Sequence, residues 1–294
     1  PYVAWGSSLI DYLPHWVGAD GRERLAERLR DQPTRRAIRA EICQVCRLLY
    51  EKDLIAPLDG NVSVRWGEQY LITTPSGVFK GRLAPADLVV TDLSGALASE
   101  DISSANGLRP SAELRLHLEI YRQRPDVRAV VHAHPPITTA FTVAGRSLAA
   151  PVLPESLVYT GVLETTAYAT PTSAQGPEVV RELIRDHDAL VLDRHGAVTV
   201  GQSAMDAFGK MAKVENTALV VLLAHLLGRV KELPEDEVAL LAQKRREHLA
   251  ATVAHAEKAL AREAAAVAPA PDEPPLAELV ATVTTEVLRR LGHV

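Results

Sequence analysis

Between Thr34 and about Val230 the apolar positions change their spacing repeatedly, and each change marks a new element. In RRAIRAEICQVCRLLYEKDL, Ile38, Ile42, Val45, Leu48 and Leu49 recur at helical spacing, which predicts a helix running to Lys52. VSVRW and QYLITT read as strands, Ser111 to Arg122 as a helix opened by Pro110 and Ser111, and VRAVVHAH as a further strand. A helix follows over Pro136 to Ala144, then AYATP and a helix near Gly176 to Asp186. The apolar strand ALVLDRHGAVTVG and a long helix from Ser203 to about Leu227 complete the body. Strands and helices that interleave in this way predict a layered α/β domain.

The flanks read differently from this body, residues 34–232. Residues 1–33 look like an arm, with Trp5, Tyr12, Pro14 and Trp16 ahead of a short charged helix, Arg22 to Arg30. It is expected to pack on the body or on a neighbouring subunit. A charged helix is predicted over 233–264, followed over 265–275 by an Ala- and Pro-rich linker that supports neither a core nor a stable helix. In residues 276–294, Leu276, Leu279, Val280, Val283, Val287, Leu288 and Leu291 share one helix face, with Glu and Arg opposite. So short a helix is marginal in water, and it is expected to become stable by docking on another surface.

Composition narrows the function classes. Of 294 residues, 47% are hydrophobic and 23% charged, enough apolar surface for a sizeable core, which excludes a disordered chain. Aromatics make up only 4%, so packing is aliphatic. Lys and Arg number 32 against 37 Asp and Glu, a net charge of -5 without the basic excess of a nucleic-acid surface. No apolar run approaches the roughly 18 residues of a membrane span and no signal peptide is visible, so a soluble, cytoplasmic protein is expected, without nucleic-acid or membrane partners. Cys43 and Cys46 form C-x-x-C inside a helical pattern, with no second pair to complete a zinc site. They read as helix-face residues without a redox or metal role.

The candidate chemistry lies at strand ends. In AVVHAH, His132 and His134 are two residues apart, which puts both imidazoles on one face of a strand that Pro135 and Pro136 end. His195 follows the apolar run ALVLD and precedes Gly196, whose lack of a side chain leaves room for an approaching ion. Three neutral imidazoles with an open fourth position are the layout of catalytic zinc. Glu113, on the first turn of the helix in RPSAELRLH, is the candidate acid/base. Two glycine-bearing turns, GNVSV with Gly60 and Asn61 and TTPSG with Ser76 and Gly77, offer backbone N–H groups to an anion, and Ser111 near a helix N-terminus adds a third element.

Taken in order, GNVSV, TPSG, RPSAE, VVHAHPP, AYATP and DRHGAVTVG followed by a helix resemble the class II aldolase and adducin head family over roughly residues 35–230. The resemblance implies a layered α/β/α domain whose central, mainly antiparallel sheet is covered by helices. It implies Zn2+ on His132, His134 and His195, Glu113 as the acid/base, and a phosphate site of Gly60, Asn61, Ser76, Gly77 and Ser111. Ribulose-phosphate 4-epimerases, a related branch, carry aspartate where Glu113 stands, so Glu113 favours carbon–carbon cleavage. The expected reaction is cleavage of a ketose 1-phosphate, of the fuculose-1-phosphate type, to dihydroxyacetone phosphate and an aldehyde such as lactaldehyde. The zinc would act as a Lewis acid toward the substrate oxygens. Glu113 would shuttle the proton, and in the resting protein it could occupy the open metal position.

Two departures qualify this. The family's phosphate site usually has a second serine directly before the glutamate, and here that residue is Ala112. The family's assisting tyrosine from a neighbouring subunit has no clear counterpart in AAPVLPESLVYTG, where Tyr159 and Glu155 are the candidates. Decarboxylation of a sugar-acid phosphate is the alternative reaction, and a non-catalytic adducin-like head is the alternative class. The resemblance also implies a cyclic homo-oligomer, expected as a homotetramer, with sites between subunits. The linker and terminal helix resemble an encapsulation peptide, which implies a bacterial microcompartment shell or cargo protein as partner of residues 276–294.

Overall fold

The structure is a computed structural model that describes residues 32–98 and 107–266. Residues 1–31 of the arm expected over 1–33, the linker from 267 onward and the terminal helix lie outside the described residues. Contacts divide the chain into residues 37–255 and a second unit made of the two chain ends. Of the second unit, only residues 32–36 and 256–266 are described, as the outer turns of two helices.

Seven strands form one sheet among the described residues: β1 (Asn61–Trp66), β2 (Tyr70–Thr73), β3 (Val89–Asp92), β4 (Ala129–Ala133), β5 (Glu164–Thr165), β6 (Ala189–Leu192) and β7 (Gly196–Gly201). Their order is β3-β2-β1-β4-β7-β6-β5, with every pair antiparallel except β5 and β6. The helices are α1 (Gln32–Glu51), α2 (Leu114–Gln123), α3 (Pro136–Val143), α4 (Pro154–Tyr159), α5 (Gln175–Arg181), α6 (Ala204–Leu227) and α7 (Glu235–Ala266). On one face of the sheet, Val62, Val64, Val131, Val191 and Ala197 pack with Ile42, Val45 and Leu49 of α1, Phe141 of α3 and Met211 and Val214 of α6. On the other, Val130, Leu190, Val198 and Val200 meet Leu116 and Ile120 of α2 and Val180 of α5. These are the three layers expected from the sequence, with a mainly antiparallel central sheet. Burial of both faces explains why β4, β6 and β7 read as unbroken apolar runs.

Two local expectations change. ALVLDRHGAVTVG is not one strand but a hairpin, β6 and β7, turned at Asp193 to His195. A run covered on both sides gives no alternation that would mark the turn. AYATP, to which the sequence pattern assigns no element, is a loop ahead of α5. The helix after RPSAE begins at Leu114, so Glu113 stands at its N-cap and not in its first turn. Cys43 and Cys46 are buried free thiols on α1, and burial pushes the Cys43 thiol up to about 11 and that of Cys46 further.

A buried carboxylate ties the elements together. Asp188, at the start of β6, lies 3.1 Å from the Arg124 guanidinium, 3.5 Å from Lys210 of α6 and 2.8 Å from Arg245 of α7. Burial alone would raise its carboxyl, but the three cations outweigh it and hold the group below its ordinary range. Arg245 also donates to the carbonyls of Val158 and Tyr159 and lies against Gly161, so α7 is anchored to the body at this point.

Candidate metal and catalytic site

β4 ends on two ligands. His132 pairs in register with Asn61 of β1 and Val198 of β7, and its Nδ1–H donates to the carbonyl of Ala197 at 2.9 Å. That bond directs the lone pair of Nε2 away from the sheet. His134 follows the strand, its backbone N–H held by the carbonyl of Leu54, and its Nδ1 faces the Asp59 carboxylate at 3.3 Å. His134 therefore also presents Nε2, 3.1 Å from that of His132.

His195 arrives from the β6–β7 turn. Arg194 takes a left-handed backbone (φ 53°) with its N–H on the Thr142 hydroxyl, and Gly196 follows at φ 154°. A Cβ on Gly196 would lie 2.2 Å from the carbonyl oxygen of Ala133 and 3.1 Å from the Cα of His134. Only glycine permits this approach, which brings the third imidazole to β4. The ring centroids of His132, His134 and His195 are 4.8 to 5.0 Å apart, a nearly equilateral triangle.

Glu113 closes the set. It sits in the bridge region of the backbone (φ -94°, ψ 8°), with its N–H on the Ser111 hydroxyl. One carboxylate oxygen lies 3.0 Å from Nε2 of His132 and the other 3.3 Å from Nε2 of His195. All four candidate donor atoms fall within 4.8 Å of one another. Burial pushes the Glu113 carboxyl up, but hydrogen bonds and charge from His132 and His195 prevail and hold it well below the usual carboxylate range. The His134 imidazole is depressed to about 4 by burial and by the two neighbouring rings, so it is neutral at pH 7, as a metal ligand must be.

Nε2 of His132 and of His134 face each other at 3.1 Å, and the Glu113 carboxylate spans Nε2 of His132 and of His195, so lone pairs and a negative charge converge on one point suited to a cation. Tetrahedral zinc with bonds near 2.0–2.1 Å sets its ligand nitrogens about 3.3 Å apart, so the donor set and spacing fit. Asp59, which sequence reading missed although it directly precedes Gly60, holds the outer nitrogen of His134. Asp59→Asn is expected to weaken zinc affinity about ten-fold, measured by competition with a chromogenic chelator. An unchanged affinity would show that the contact is inert.

The anion segments converge beside this centre. Gly60 (φ 67°) has no room for a Cβ, which would meet Ile55 at 2.7 Å and the carbonyl oxygen of His132 at 2.9 Å. Asn61 is buried with its Oδ1 unpartnered among the described residues. Backbone bonds from Ser76 to Arg109 and from Ser111 to Thr74 bring TPSG and RPS together. Those two N–H groups are thus already engaged, and Ser76 and Ser111 can offer an anion their hydroxyls rather than their amides. Ala112 is exposed at the edge of a cleft of about 430 Å³ whose walls include Glu113, His195, Arg115, Thr170 and Thr172. Thr172 holds a left-handed backbone (φ 64°), a costly conformation for a β-branched residue, and Tyr168 of the same loop lies under the Arg194 guanidinium at 5.0 Å.

Two further residues escaped sequence reading. His117, one helical turn after Glu113, is fully buried, with Nδ1 2.7 Å from the Ser63 hydroxyl. Burial depresses its imidazole to about 3. The i, i+4 spacing from Glu113 was the available signal. Glu215 of α6 accepts from the N–H groups of Ile137 and Thr138 and so fixes the start of α3 directly after His134 and Pro135; no local pattern announces it. Tyr159 packs on α6, where a Cβ on Gly209 would come within 2.5 Å of its hydroxyl.

Fold and site together define a layered α/β domain built around a cluster of three histidines and one glutamate that could hold a metal ion. The chain belongs to the Class II Aldolase and Adducin N-terminal domain family, which matches residues 40–222. It is 33% identical over 178 residues to an L-fuculose phosphate aldolase of Methanococcus maripaludis, covering 60% of this chain and 92% of that protein. It is 29% identical to a 3-oxo-tetronate 4-phosphate decarboxylase of Haemophilus influenzae, covering 66% of this chain and 91% of that protein. Among solved structures, an L-fuculose 1-phosphate aldolase superposes with a TM-score of 0.65 at 27% identity, over 71% of this chain and 96% of that one. No helix among the described residues is long and apolar enough to cross a membrane.

Proposed function

We propose that this protein is a zinc-dependent aldehyde-lyase that cleaves a ketose 1-phosphate of the fuculose-1-phosphate type to dihydroxyacetone phosphate and an aldehyde such as lactaldehyde. The observation that carries this reading is the meeting of three imidazoles and an ionised glutamate beside an open cleft. His132, His134 and His195 would hold the zinc, which when bound supplies Lewis acidity toward the substrate carbonyl. Glu113, ionised at rest and within reach of the same point, would take up the proton of the substrate hydroxyl as the carbon–carbon bond breaks and, now neutral, hand it to the carbon released by cleavage. Gly60, Asn61, Ser76, Gly77 and Ser111 hold the phosphate, and the cleft takes the aldehyde end.

The decarboxylase reading has support of its own. A decarboxylase is among the relatives, and Arg115 lines the cleft beside Glu113, where it is suited to an acidic substrate group. One assay separates the two. Zinc-loaded protein is incubated with fuculose, rhamnulose and ribulose phosphates and with sugar-acid phosphates, and triose phosphate and carbon dioxide are both measured. Triose phosphate from a ketose phosphate without carbon dioxide is expected; carbon dioxide released from a sugar-acid phosphate, where triose phosphate is the co-product, makes the protein a decarboxylase, and neither product from any substrate leaves the adducin-like assembly reading.

Self-association into a homotetramer belongs to the same proposal. Leu219, Val220, Leu222, Leu223, Leu226 and Leu227 are exposed along the C-terminal half of α6, an apolar row suited to a second copy. A monomer by light scattering would overturn it. Residues 276–294 are proposed as an address to a microcompartment shell or cargo protein, on the strength of their one-sided apolar pattern behind a linker. Deleting residues 268–294 should then leave zinc and catalysis intact and abolish co-purification with shell proteins, whereas unchanged co-purification refutes the address.

A further inference from the structure

Lys80 is almost completely buried, with 2% of its surface exposed. Its ammonium donates to the carbonyls of Val78 at 3.0 Å and Leu58 at 3.5 Å, and its backbone N–H donates to the carbonyl of Pro57. Among the described residues, no carboxylate lies within ion-pair distance of it. Burying an ammonium carries a large desolvation penalty, and lysine is almost never this buried without a counter-charge. Two neutral carbonyls take two of its three N–H donors and leave its charge largely uncompensated. The nearest titratable groups are Cys46, a thiol that burial keeps neutral, and Asp59, which faces His134.

The location gives that charge a purpose. Leu58 lies just ahead of Gly60 and Asn61, and Val78 directly follows Ser76 and Gly77, so the ammonium joins the two segments from which both anion loops project. A neutral donor could tie two carbonyls equally well. What hydrogen bonding alone does not account for is the positive charge, and a phosphate dianion entering between the loops supplies the missing counter-charge.

We propose that Lys80 is the buried cation of the substrate's anion site, bracing both loops and holding the phosphate electrostatically from beneath them. This rests on the reading of Gly60, Asn61, Ser76, Gly77 and Ser111 as phosphate loops. Lys80→Gln keeps an amide donor for the carbonyls but removes the charge, and Lys80→Arg keeps the charge.

The test is calorimetric titration of the zinc-loaded full chain with inorganic phosphate, on wild type, both Lys80 variants and Ser76→Ala. Lys80→Gln is expected to bind phosphate about ten-fold more weakly, the usual loss of one charge-assisted contact, and to raise KM more than it lowers kcat. Lys80→Arg should recover part of the binding. If Ser76→Ala weakens phosphate binding and Lys80→Gln does not, the role of Lys80 is refuted while the loops stand. If wild type binds no phosphate, the loop reading falls and the proposal with it. Should the glutamine variant not fold, wild-type protein carrying ¹³Cε-lysine decides: a phosphate-dependent shift of the Lys80 resonance supports the proposal, and its absence overturns it.

Discussion

Glu113→Gln is expected to lower kcat by about three orders of magnitude while the protein keeps its zinc, because general acid–base catalysis contributes roughly 10²–10⁴-fold. The substitution preserves shape and the bond from the Glu113 N–H to Ser111, and three imidazoles remain to hold the metal. What it removes is the carboxylate that spans Nε2 of His132 and of His195. The comparison needs single-turnover rates and metal content on the same preparations. An unchanged kcat would exclude Glu113 from the chemistry, and zinc lost with full folding would recast it as a structural ligand.

Gly196→Ala is expected to be the most damaging single methyl group in the domain. Its Cβ would collide with the carbonyl of Ala133 at 2.2 Å and crowd His134 at 3.1 Å, at a φ of 154° that side chains rarely adopt. To relieve the clash, β7 must move off the end of β4, and that junction is where His195 meets His132 and His134. Overpacking of this kind costs about 3 kcal/mol, which for a domain of this size lowers Tm by roughly 10 °C. Zinc binding should fall with it. Gly67→Ala is the control: its φ is 63° but nothing lies within 4 Å of the added methyl, so only the backbone strain of about 1 kcal/mol remains. Equal melting temperatures for the two variants would show that the close approach of β7 to β4 is not what holds the site.

Much of this was legible from local pattern. The helical spacing of Ile38, Ile42, Val45 and Leu49 and the paired histidines of AVVHAH depend on neighbours in sequence, and α1 and β4 formed where that spacing put them. The turn inside ALVLDRHGAVTVG was not legible, because strands buried on both faces carry no alternation to interrupt. The N-cap position of Glu113 was also displaced from expectation, since helix boundaries depend on how RPS is pinned to Thr74 and Ser76.

The sequence by itself determined the layered α/β class and the residue types available for chemistry: three histidines at strand ends, a glutamate after RPSA, and glycine turns suited to an anion. Periodicity and side-chain chemistry are properties of short segments, so they survive without a fold. Tertiary structure decided which of these groups meet. It brought His195 to β4 through the bare Cα of Gly196, set Asp59 behind His134, left Ser76 and Ser111 with hydroxyls rather than amides to offer, and buried Lys80 against the carbonyls of Leu58 and Val78. These depend on close approach and desolvation between segments far apart in the chain, and both exist only once the layers have packed.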